Sequence, residues 1–283
     1  MVTCAEWTDF DKDGDKDLMV AGEWMGIRLF ENSNGKLTET SNSVGLKDTE
    51  GWWFTIKEID FDQDGDKDYV VGNIGLNHKF KASVEKPFQV FNDDFDDNGT
   101  SDIVLAYHEE EKFYPVRGRD CSSEQMPFIK EKFPTFADFG KAQMEDIFGN
   151  KLDESFSLKA KQFASIILEN KGGKFEIIKL PYEAQLSAIR GAEEYDFNKD
   201  GFQDLVLAGN MFNTEVETSA ADANYGTLLL GDGKGNYVDL PLEESGFYAP
   251  GDVRNIKMID IKNQKLILIA NNNSGFQSYI TAP

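Results

Sequence analysis

The chain has 283 residues, 40% of them hydrophobic, which is enough for one large all-β domain or two ordinary domains with a real core. Its 51 Asp and Glu outnumber its 29 Lys and Arg, and the net charge of −22 opposes contact with a nucleic-acid backbone or an anionic membrane. No apolar run approaches the ~20 residues of a membrane span, so we expect neither a nucleic-acid partner nor direct membrane insertion.

The beginning of the chain lacks the basic-then-apolar pattern of a signal peptide, and strand-like sequence starts almost at Met1. This favours a mature or trimmed piece of a longer exported protein. Cys4 and Cys121 are the only cysteines, so no disulfide framework is expected to support the fold. They could form one bridge, but we favour two buried or unpaired thiols.

A nine-residue acidic motif occurs four times along the chain. The copies begin at residues 9, 60, 94 and 196 and read DFDKDGDKD, DFDQDGDKD, DFDDNGTSD and DFNKDGFQD. Each runs directly into a short apolar segment, respectively LMVAG, YVVGN, IVLAY and LVLAG. Short segments rich in Val, Ile and Leu that end at Gly or a polar residue predict buried β-strands.

A second recurring element consists of two strands joined by a tight turn. It occurs in IRLFENSNGKLTE, ASIILENKGGKFEII and TLLLGDGKGNYVDL. The pairs Asn34-Gly35, Gly172-Gly173 and Gly235-Asn236 favour the positive φ angles that such hairpins require. One unit is therefore a strand, an acidic loop, a strand, a connection and a hairpin, which gives the four antiparallel strands of a propeller blade.

The spacing of the motifs is irregular. The short interval between the second and third copies predicts a compact second blade, and the long interval after the third predicts an extra blade or a large insertion. We favour a partly helical insertion at residues 119–161, where Phe136, Phe139 and Ile147 recur at near-helical spacing. Near the C-terminus, IKMIDIKNQKLILIANN keeps two strands but only Asp260 of the acidic residues, which indicates a degenerate repeat.

The fold class predicted by these repeats is all-β. The expected architecture is a single β-propeller domain, or part of one, over residues 1–283, with four-stranded antiparallel blades and about five visible units.

The acidic motif has the donors of a calcium loop. Ca²⁺ takes six to eight oxygen ligands at about 2.3–2.6 Å, and here Asp or Asn stands at positions 1, 3, 5 and 9, with Gly at position 6 for the sharp turn. We expect the backbone carbonyl of position 7 to add a ligand. The sequence therefore predicts about four Ca²⁺ ions. The predicted metal ligands are Asp9, Asp11, Asp13, Asp15 and Asp17; Asp60, Asp62, Asp64, Asp66 and Asp68; Asp94, Asp96, Asn98, Thr100 and Asp102; and Asp196, Asn198, Asp200, Phe202 and Asp204.

An EF-hand begins with the same pattern but is excluded by position 12. An EF-hand places a bidentate Glu there on an exiting helix, whereas this chain has Val20, Val71, Leu105 and Leu207 in strand-like segments. Mg²⁺ is disfavoured because it needs a tight octahedron and retains water. We expect a structural role for the metal rather than a catalytic one, coupled to folding.

These loops resemble those of the FG-GAP/VCBS repeat family, the integrin α-subunit type of β-propeller. The stretches VAGEWMG, GWWF and RGRDCSSEQMPFI also resemble bacterial surface proteins related to the cartilage acidic protein group. The resemblance implies an extracellular, cell-surface or periplasmic calcium-stabilised propeller used for binding or adhesion. Family propellers usually have about seven blades, so five units imply missing blades or an unfamiliar ring closure.

The sequence favours a binding module over an enzyme. It contains no GxSxG, HExxH, CxxC or P-loop motif, and His78 and His108 are not in ligand-spaced clusters. The expected partner is a glycan or a protein. The alternative is a carbohydrate-active enzyme, a polysaccharide lyase or glycosidase, using an acidic pair.

Two features of the sequence are candidates for a partner-binding face. Trp24, Trp52 and Trp53 lie in predicted connections, where they either contact a partner or pack between blades. The insertion at 119–161 is the second candidate, because long loops of repeat proteins often carry recognition.

Overall fold

The computed structural model describes residues 1–214 and 218–282. Within these residues the chain is built from short β-strands, with helices of at most seven residues. It divides into two compact units. The first unit comprises Met1–His78 and the chain from Phe163 onward, and the second is the intervening segment Lys79–Gln162. None of the described helices is long and apolar enough to span a bilayer.

The first unit begins with seven strands. They are β1 Val2–Thr8, β2 Asp17–Met25, β3 Arg28–Ser33, β4 Lys36–Glu39, β5 Gly51–Trp52, β6 Thr55–Ile59 and β7 Asp68–Gly72. Strands β1 to β4 form an antiparallel meander, with β5 paired to the end of β2. The turn between β3 and β4 has positive φ at Asn34 and Gly35, as the sequence predicts.

The second unit contains one sheet and five short helices. Its strands are β8 Phe88–Asp93, β9 Asp102–Glu109, β10 Lys112–Pro115 and β11 Phe156–Ala160, in the order β10-β9-β8-β11. Its helices are α1 Arg119–Gln125, α2 Phe128–Lys132, α3 Phe136–Phe139, α4 Met144–Phe148 and α5 Lys151–Glu154. Phe91, Phe95 and Val104 of the sheet side share a core with Ile129 and Met144 of the helices.

The first unit then resumes with nine strands. They are β12 Ile166–Asn170, β13 Phe175–Lys179, β14 Gly191–Tyr195, β15 Asp204–Ala208, β16 Thr227–Gly231, β17 Tyr237–Asp239, β18 Val253–Ile261, β19 Gln264–Asn271 and β20 Gln277–Ile280. A 3-10 turn at Tyr182–Gln185 and the helix α6 Leu242–Ser245 lie between them. These strands, together with β6 and β7, form three sheets. Their strand orders are β6-β7-β12-β13, β14-β15-β16-β17 and β18-β19-β20.

The four sheets of the first unit pack face to face in chain order. Successive residues of a strand point to opposite faces, and here the two faces enter different cores. Val71 packs between the first and second sheets, while Val70 packs between the second and third. In the same way, Leu205 packs between the second and third sheets, and Val206 packs between the third and fourth. The acidic loops therefore run into near-continuous apolar strands because both faces are covered.

The first strands of successive sheets also contact one another, β1 with β6, β6 with β14, and β14 with β18. All-β architecture with mostly four-stranded antiparallel sheets is thus established, and the arrangement is consistent with a blade-based, propeller-like fold. Five sheets occur in the described residues, of which the last has three strands.

The insertion is placed differently from the sequence prediction. Helices α1 to α5 fall within the expected 119–161 segment, but β11 ends that segment as a strand. The compact unit extends further, over Lys79–Gln162, and includes the third acidic loop. In the sequence, this unit lies between β7 and β12, and these two strands pair with each other. The second sheet is therefore interrupted by the insertion and is not the compact blade that the motif spacing predicts. Sequence spacing missed this because β12 and β13 follow the insertion without a loop of their own.

Candidate metal centres

The four acidic loops connect strands of one sheet each and have the same internal structure. We number them loops 1 to 4 and their residues as positions 1 to 9. The loops are Asp9–Asp17 between β1 and β2, Asp60–Asp68 between β6 and β7, Asp94–Asp102 between β8 and β9, and Asp196–Asp204 between β14 and β15.

Position 2 is a phenylalanine that fixes each loop to a hydrophobic core. Phe10, Phe61 and Phe95 are buried, and Phe197 packs against its core while half-buried. Each belongs to the core of the sheet that carries its loop. The loop backbone is therefore tethered at its second residue, while positions 4 and 5 are exposed to solvent. Position 2 has no predicted role from the sequence, although the repeated Asp-Phe pair signals one.

Position 9 is a buried aspartate at the start of the outgoing strand. Its carboxylate accepts the position 2 amide in every loop. The N···O distances are 3.1 Å for Phe10 to Asp17, 2.7 Å for Phe61 to Asp68, 3.0 Å for Phe95 to Asp102 and 2.8 Å for Phe197 to Asp204. In loops 1, 2 and 4 the other oxygen accepts an amide of the third strand, from Asn32, Asn170 and Gly231. Each such aspartate thus joins three backbone segments.

Burial raises the pKa of all four position 9 carboxyls, and the amide N–H groups that they accept oppose this shift only in part. For Asp68 the pKa is raised to about 7. The neighbouring loop carboxylates add to the shift, since like charges disfavour ionisation. A bound cation would act in the opposite direction, because it favours the charged form of each carboxyl.

Positions 1 and 5 shape the turn through side-chain hydrogen bonds to backbone amides. Position 1 accepts the N–H of the position 6 glycine in each loop. Position 5 accepts the N–H of position 7, at 2.7–2.9 Å. Each of these oxygens keeps a further lone pair, which is available to a metal ion.

The backbone of each loop has two residues with positive φ. Position 6 is Gly14, Gly65, Gly99 or Gly201, with φ between 80° and 93°, as the sequence predicts. Position 4 also has positive φ, 59° to 63°, although it is Lys12, Gln63, Asp97 or Lys199. Of these four residues, only Asp97 is of a type that readily adopts positive φ. The amino-acid types at position 4 therefore did not predict the left-handed backbone. Such strain in non-glycine residues persists where surrounding contacts impose it.

Carboxylates converge in three of the loops. Donor oxygens lie within 4.8 Å of one another in the groups Asp9, Asp11 and Asp13 of loop 1; Asp60, Asp62 and Asp68 of loop 2; and Asp94, Asp96 and Asp102 of loop 3. In loop 4, position 3 is the amide Asn198, which donates to Asp200 at 2.9 Å. The structure thus brings together nine of the predicted ligands as groups that could hold a metal ion.

The donor sets fit a hard divalent cation. They are oxygen only, as Ca²⁺ requires. Among the described residues, the buried Oδ1 atoms of Asp66 and Asp96 have no hydrogen-bond partner, which is costly unless a cation satisfies them. A side-chain interaction between Asp64 and Asp66 lowers the pKa of Asp64 and raises that of Asp66. A bound cation would favour the charged form of both carboxyls.

Position 7 was predicted to act through its backbone carbonyl, at Asp15, Asp66, Thr100 and Phe202. The structure shows a further role for the side chain in loop 1, where Asp15 accepts the amide of Asn34 in the β3–β4 turn at 3.1 Å. The carbonyl role stays a prediction.

Two lysines adjoin the loops from distant parts of the sequence. Lys171, in the β12–β13 turn, lies 3.2 Å from Asp62, and its pKa is raised by Glu169 and Asp62. Lys151 of α5 lies 2.7 Å from Asp97 and donates to the carbonyl of Asp94 at 3.2 Å. These cations partly neutralise loops 2 and 3. The sequence carries no signal for these two lysines because their contacts depend on tertiary packing.

Residues 9–71 match the FG-GAP-like repeat family, over loops 1 and 2 and the strands between them. The chain carries an FG-GAP-like repeat. The FG-GAP-like match confirms the family resemblance over these residues. No curated protein matches the sequence.

The other candidate residues from the sequence are mainly in packing roles. Trp53 is fully buried and donates its indole N–H to the carbonyl of Thr49. Trp24 and Trp52 are half-buried, with ring centroids 5.2 Å apart in an edge-to-face arrangement. His78 packs edge-on against Phe163.

The second histidine and the two cysteines also lie in structural environments. His108 stacks on Phe113, and burial lowers its pKa. Cys4 and Cys121 form no disulfide, and burial raises the pKa of the Cys4 thiol to about 11.

Proposed function

We propose that this chain is a calcium-stabilised β-propeller module that works outside the cytoplasm, at the cell surface, in the extracellular space or in the periplasm, and binds a glycan or a protein. The observation that carries the proposal is the common design of the four loops. A phenylalanine packed on the core and a buried aspartate fix both ends of each loop, and carboxylates of the loop converge in three of the four. Repeats of the FG-GAP-like kind often bind calcium.

The metal has a structural role in this proposal. Each ion binds carboxylates that would otherwise repel one another, and it joins the first two strands of a sheet at their connecting loop. Because the position 9 aspartate also contacts the third strand in loops 1, 2 and 4, ion binding stabilises the hairpin beside it. Four ions are expected, one in each loop, with loops 3 and 4 weaker than loops 1 and 2 because Asn98 and Asn198 each replace a carboxylate.

The four stacked sheets of the first unit are proposed as consecutive propeller blades. Their face-to-face order and the adjacency of β1, β6, β14 and β18 support this assignment. In a propeller the first strands of the blades surround the central axis. The loops then lie at one end of the blades, which leaves the opposite end and the inserted unit as surfaces for a partner.

Calcium binding is tested by isothermal titration and thermal melting of protein first dialysed against a chelator. We expect a stoichiometry of about four, and a melting temperature that rises with Ca²⁺, since a ligand at 100 times its Kd adds about 2.7 kcal/mol per site. Asp96→Asn removes one charge from loop 3 and should lower the stoichiometry to about three at moderate Ca²⁺.

Glu243→Gln is the matched control for this titration. It removes an equal charge from an exposed position in α6, outside the loops, and should leave stoichiometry and melting unchanged. Mg²⁺ at the same concentration should restore little of the stability. A melting curve that is identical in chelator and in saturating Ca²⁺ would refute the calcium proposal.

A further inference from the structure

A cavity of about 260 Å³ lies within the second unit, apart from the acidic loops. It is bordered by the end of β9, by β10 with the turn that follows, and by the segment joining α3 to α4. Arg117, in its wall, begins the RGRDCS stretch, which has no part in the metal centres. The first two residues of this stretch therefore contribute to a cavity in the second unit.

Two tyrosines form an aromatic wall of the cavity. Tyr107 and Tyr114 are directly opposite each other in the β9–β10 pairing, and their ring centroids are 6.3 Å apart at an interplanar angle of 40°. Both are half-buried. Burial, Glu109 and Tyr114 raise the pKa of Tyr107, so its hydroxyl stays protonated at neutral pH. Neither hydroxyl has a hydrogen-bond partner among the described residues, so both can serve a ligand.

The polar groups of the cavity carry opposite charges. Arg117 lies at its wall and the exposed Glu109 at its rim, while Val116, Phe139 and Ala142 supply apolar surface. A guanidinium donates N–H groups and a carboxylate accepts hydrogen bonds, so both side chains are of the kinds that recognise hydroxyl groups. The net charge of this lining is zero. It therefore gives no advantage to an anionic ligand, and the strongly acidic chain opposes one.

We propose that this cavity binds a pyranose unit of a neutral glycan. A pyranose has apolar C–H faces for the tyrosine rings and hydroxyl edges for Arg117 and Glu109. The volume lies below the roughly 300–1,000 Å³ of pockets for drug-sized ligands, which suits one sugar unit of a longer chain. This inference rests on the proposed binding function and names its ligand class and its site.

The test uses the full chain in saturating Ca²⁺ with four neutral probes, cellohexaose, xylohexaose, mannohexaose and maltohexaose, and with hexagalacturonate as a charged comparison. Saturation-transfer NMR identifies binding, and titration calorimetry gives its Kd. We expect at least one neutral probe to bind. Tyr107→Ala and Tyr114→Ala should each weaken it about tenfold or more, through loss of an aromatic contact and a hydrogen bond.

Smaller changes guard against unfolding of the alanine variants. Tyr107→Phe and Tyr114→Phe keep the rings and should weaken binding only several-fold, as should Glu109→Gln at the exposed rim. Tyr182→Ala is the matched control, because Tyr182 is 69% exposed in the first unit and lies outside the cavity. It should leave Kd unchanged.

Two results would overturn the inference. One is the absence of binding by every neutral probe, including the case in which hexagalacturonate alone binds. The other is neutral-sugar binding that all the cavity variants retain. In either case the proposed calcium-stabilised function would stand or fall separately, because Ca²⁺ stoichiometry and the chelator melt are measured on the same samples.

Discussion

The aspartate at position 9 acts as a structural residue as well as a predicted ligand. In loop 4, Asp204 is fully buried and accepts amide hydrogens from Phe197 and Gly231. Both donors belong to the chain's own backbone, so Asp204 holds the loop and the third strand together through direct contacts.

This dual role predicts that Asp204→Ala destabilises the protein even in chelator. The change leaves two backbone amides without their acceptor, at roughly 1–3 kcal/mol each if they stay buried. Thermal melting in chelator measures the loss. Asp200→Asn, at exposed position 5, keeps an oxygen for the Phe202 amide and loses only the exposed contact from Asn198, so it should mainly weaken calcium binding. Equal melting of the two variants in chelator would contradict the structural role.

A pH effect at the residue scale is expected from Glu194. This side chain of β14 accepts the amide of Asp60 at 3.1 Å, and burial, with the charge of Asp60, raises its pKa to about 7 from an ordinary 4.5. Between these two values the folded protein binds more protons than the unfolded chain. The free energy of unfolding therefore falls as pH rises from about 4.5 to 7 and levels off above that range.

Glu194→Gln keeps the acceptor oxygen and removes the titration. In chelator, the melting temperature of the original protein should fall more steeply over this pH range than that of the variant. Asp68 titrates in both proteins, so the difference between the curves reports Glu194 together with its effect on Asp68. Parallel curves would show that Glu194 does not ionise within this range.

At the scale of the element, each acidic loop is a turn with left-handed backbone at positions 4 and 6. The glycine at position 6 is required by its positive φ and not by a lack of space for a side chain. A Cβ at Gly99, for example, would meet nothing within 4 Å. Its φ is 86°, which L-residues with a side chain rarely adopt.

Gly99→Ala should therefore cost about 1–2 kcal/mol of stability through backbone strain and should weaken calcium binding in loop 3. Gly118→Ala is a matched control in the same unit, because its φ is −68° and its Cβ would also meet open space. Urea unfolding with and without Ca²⁺ measures both effects. Similar losses in the two variants would argue against strain as the cause.

At the scale of the whole molecule, the second unit is an insertion within one sheet. Its flanks are close together, since the amide of Gly75 donates to the carbonyl of Phe163 at 2.9 Å, and β7 pairs with β12. The second unit also has its own core. Each unit can therefore be expected to fold without the other.

We expect a variant in which a short Gly-Ser linker replaces residues 79–162 to fold cooperatively. It should bind about three Ca²⁺ ions instead of four, because only loop 3 is removed. Circular dichroism and calorimetry provide the measurements. On a glycan array, the variant should lose the binding that the intact protein shows. An unfolded variant would mean that the insertion is needed for the first unit.

The sequence predicted the repeated loops well because their requirements are local. Alternating oxygen donors, a glycine at position 6 and a following apolar strand can all be read within nine to fourteen residues. It did not predict the left-handed conformation at Lys12 and Lys199, because lysine gives no signal for it. The approach of Lys171 to Asp62 was also unpredictable, since the two residues meet only through sheet pairing.

By itself, the sequence determined the all-β class, the hairpins and the repeated acidic loops, because side-chain alternation, turn conformation and the oxygen donors are short-range properties. Only the tertiary structure decided that the third loop belongs to an inserted unit and that β12 and β13 complete the interrupted sheet. Strand partners are chosen by the burial of complementary apolar faces. That choice joins residues on either side of an insertion and leaves no mark on local spacing.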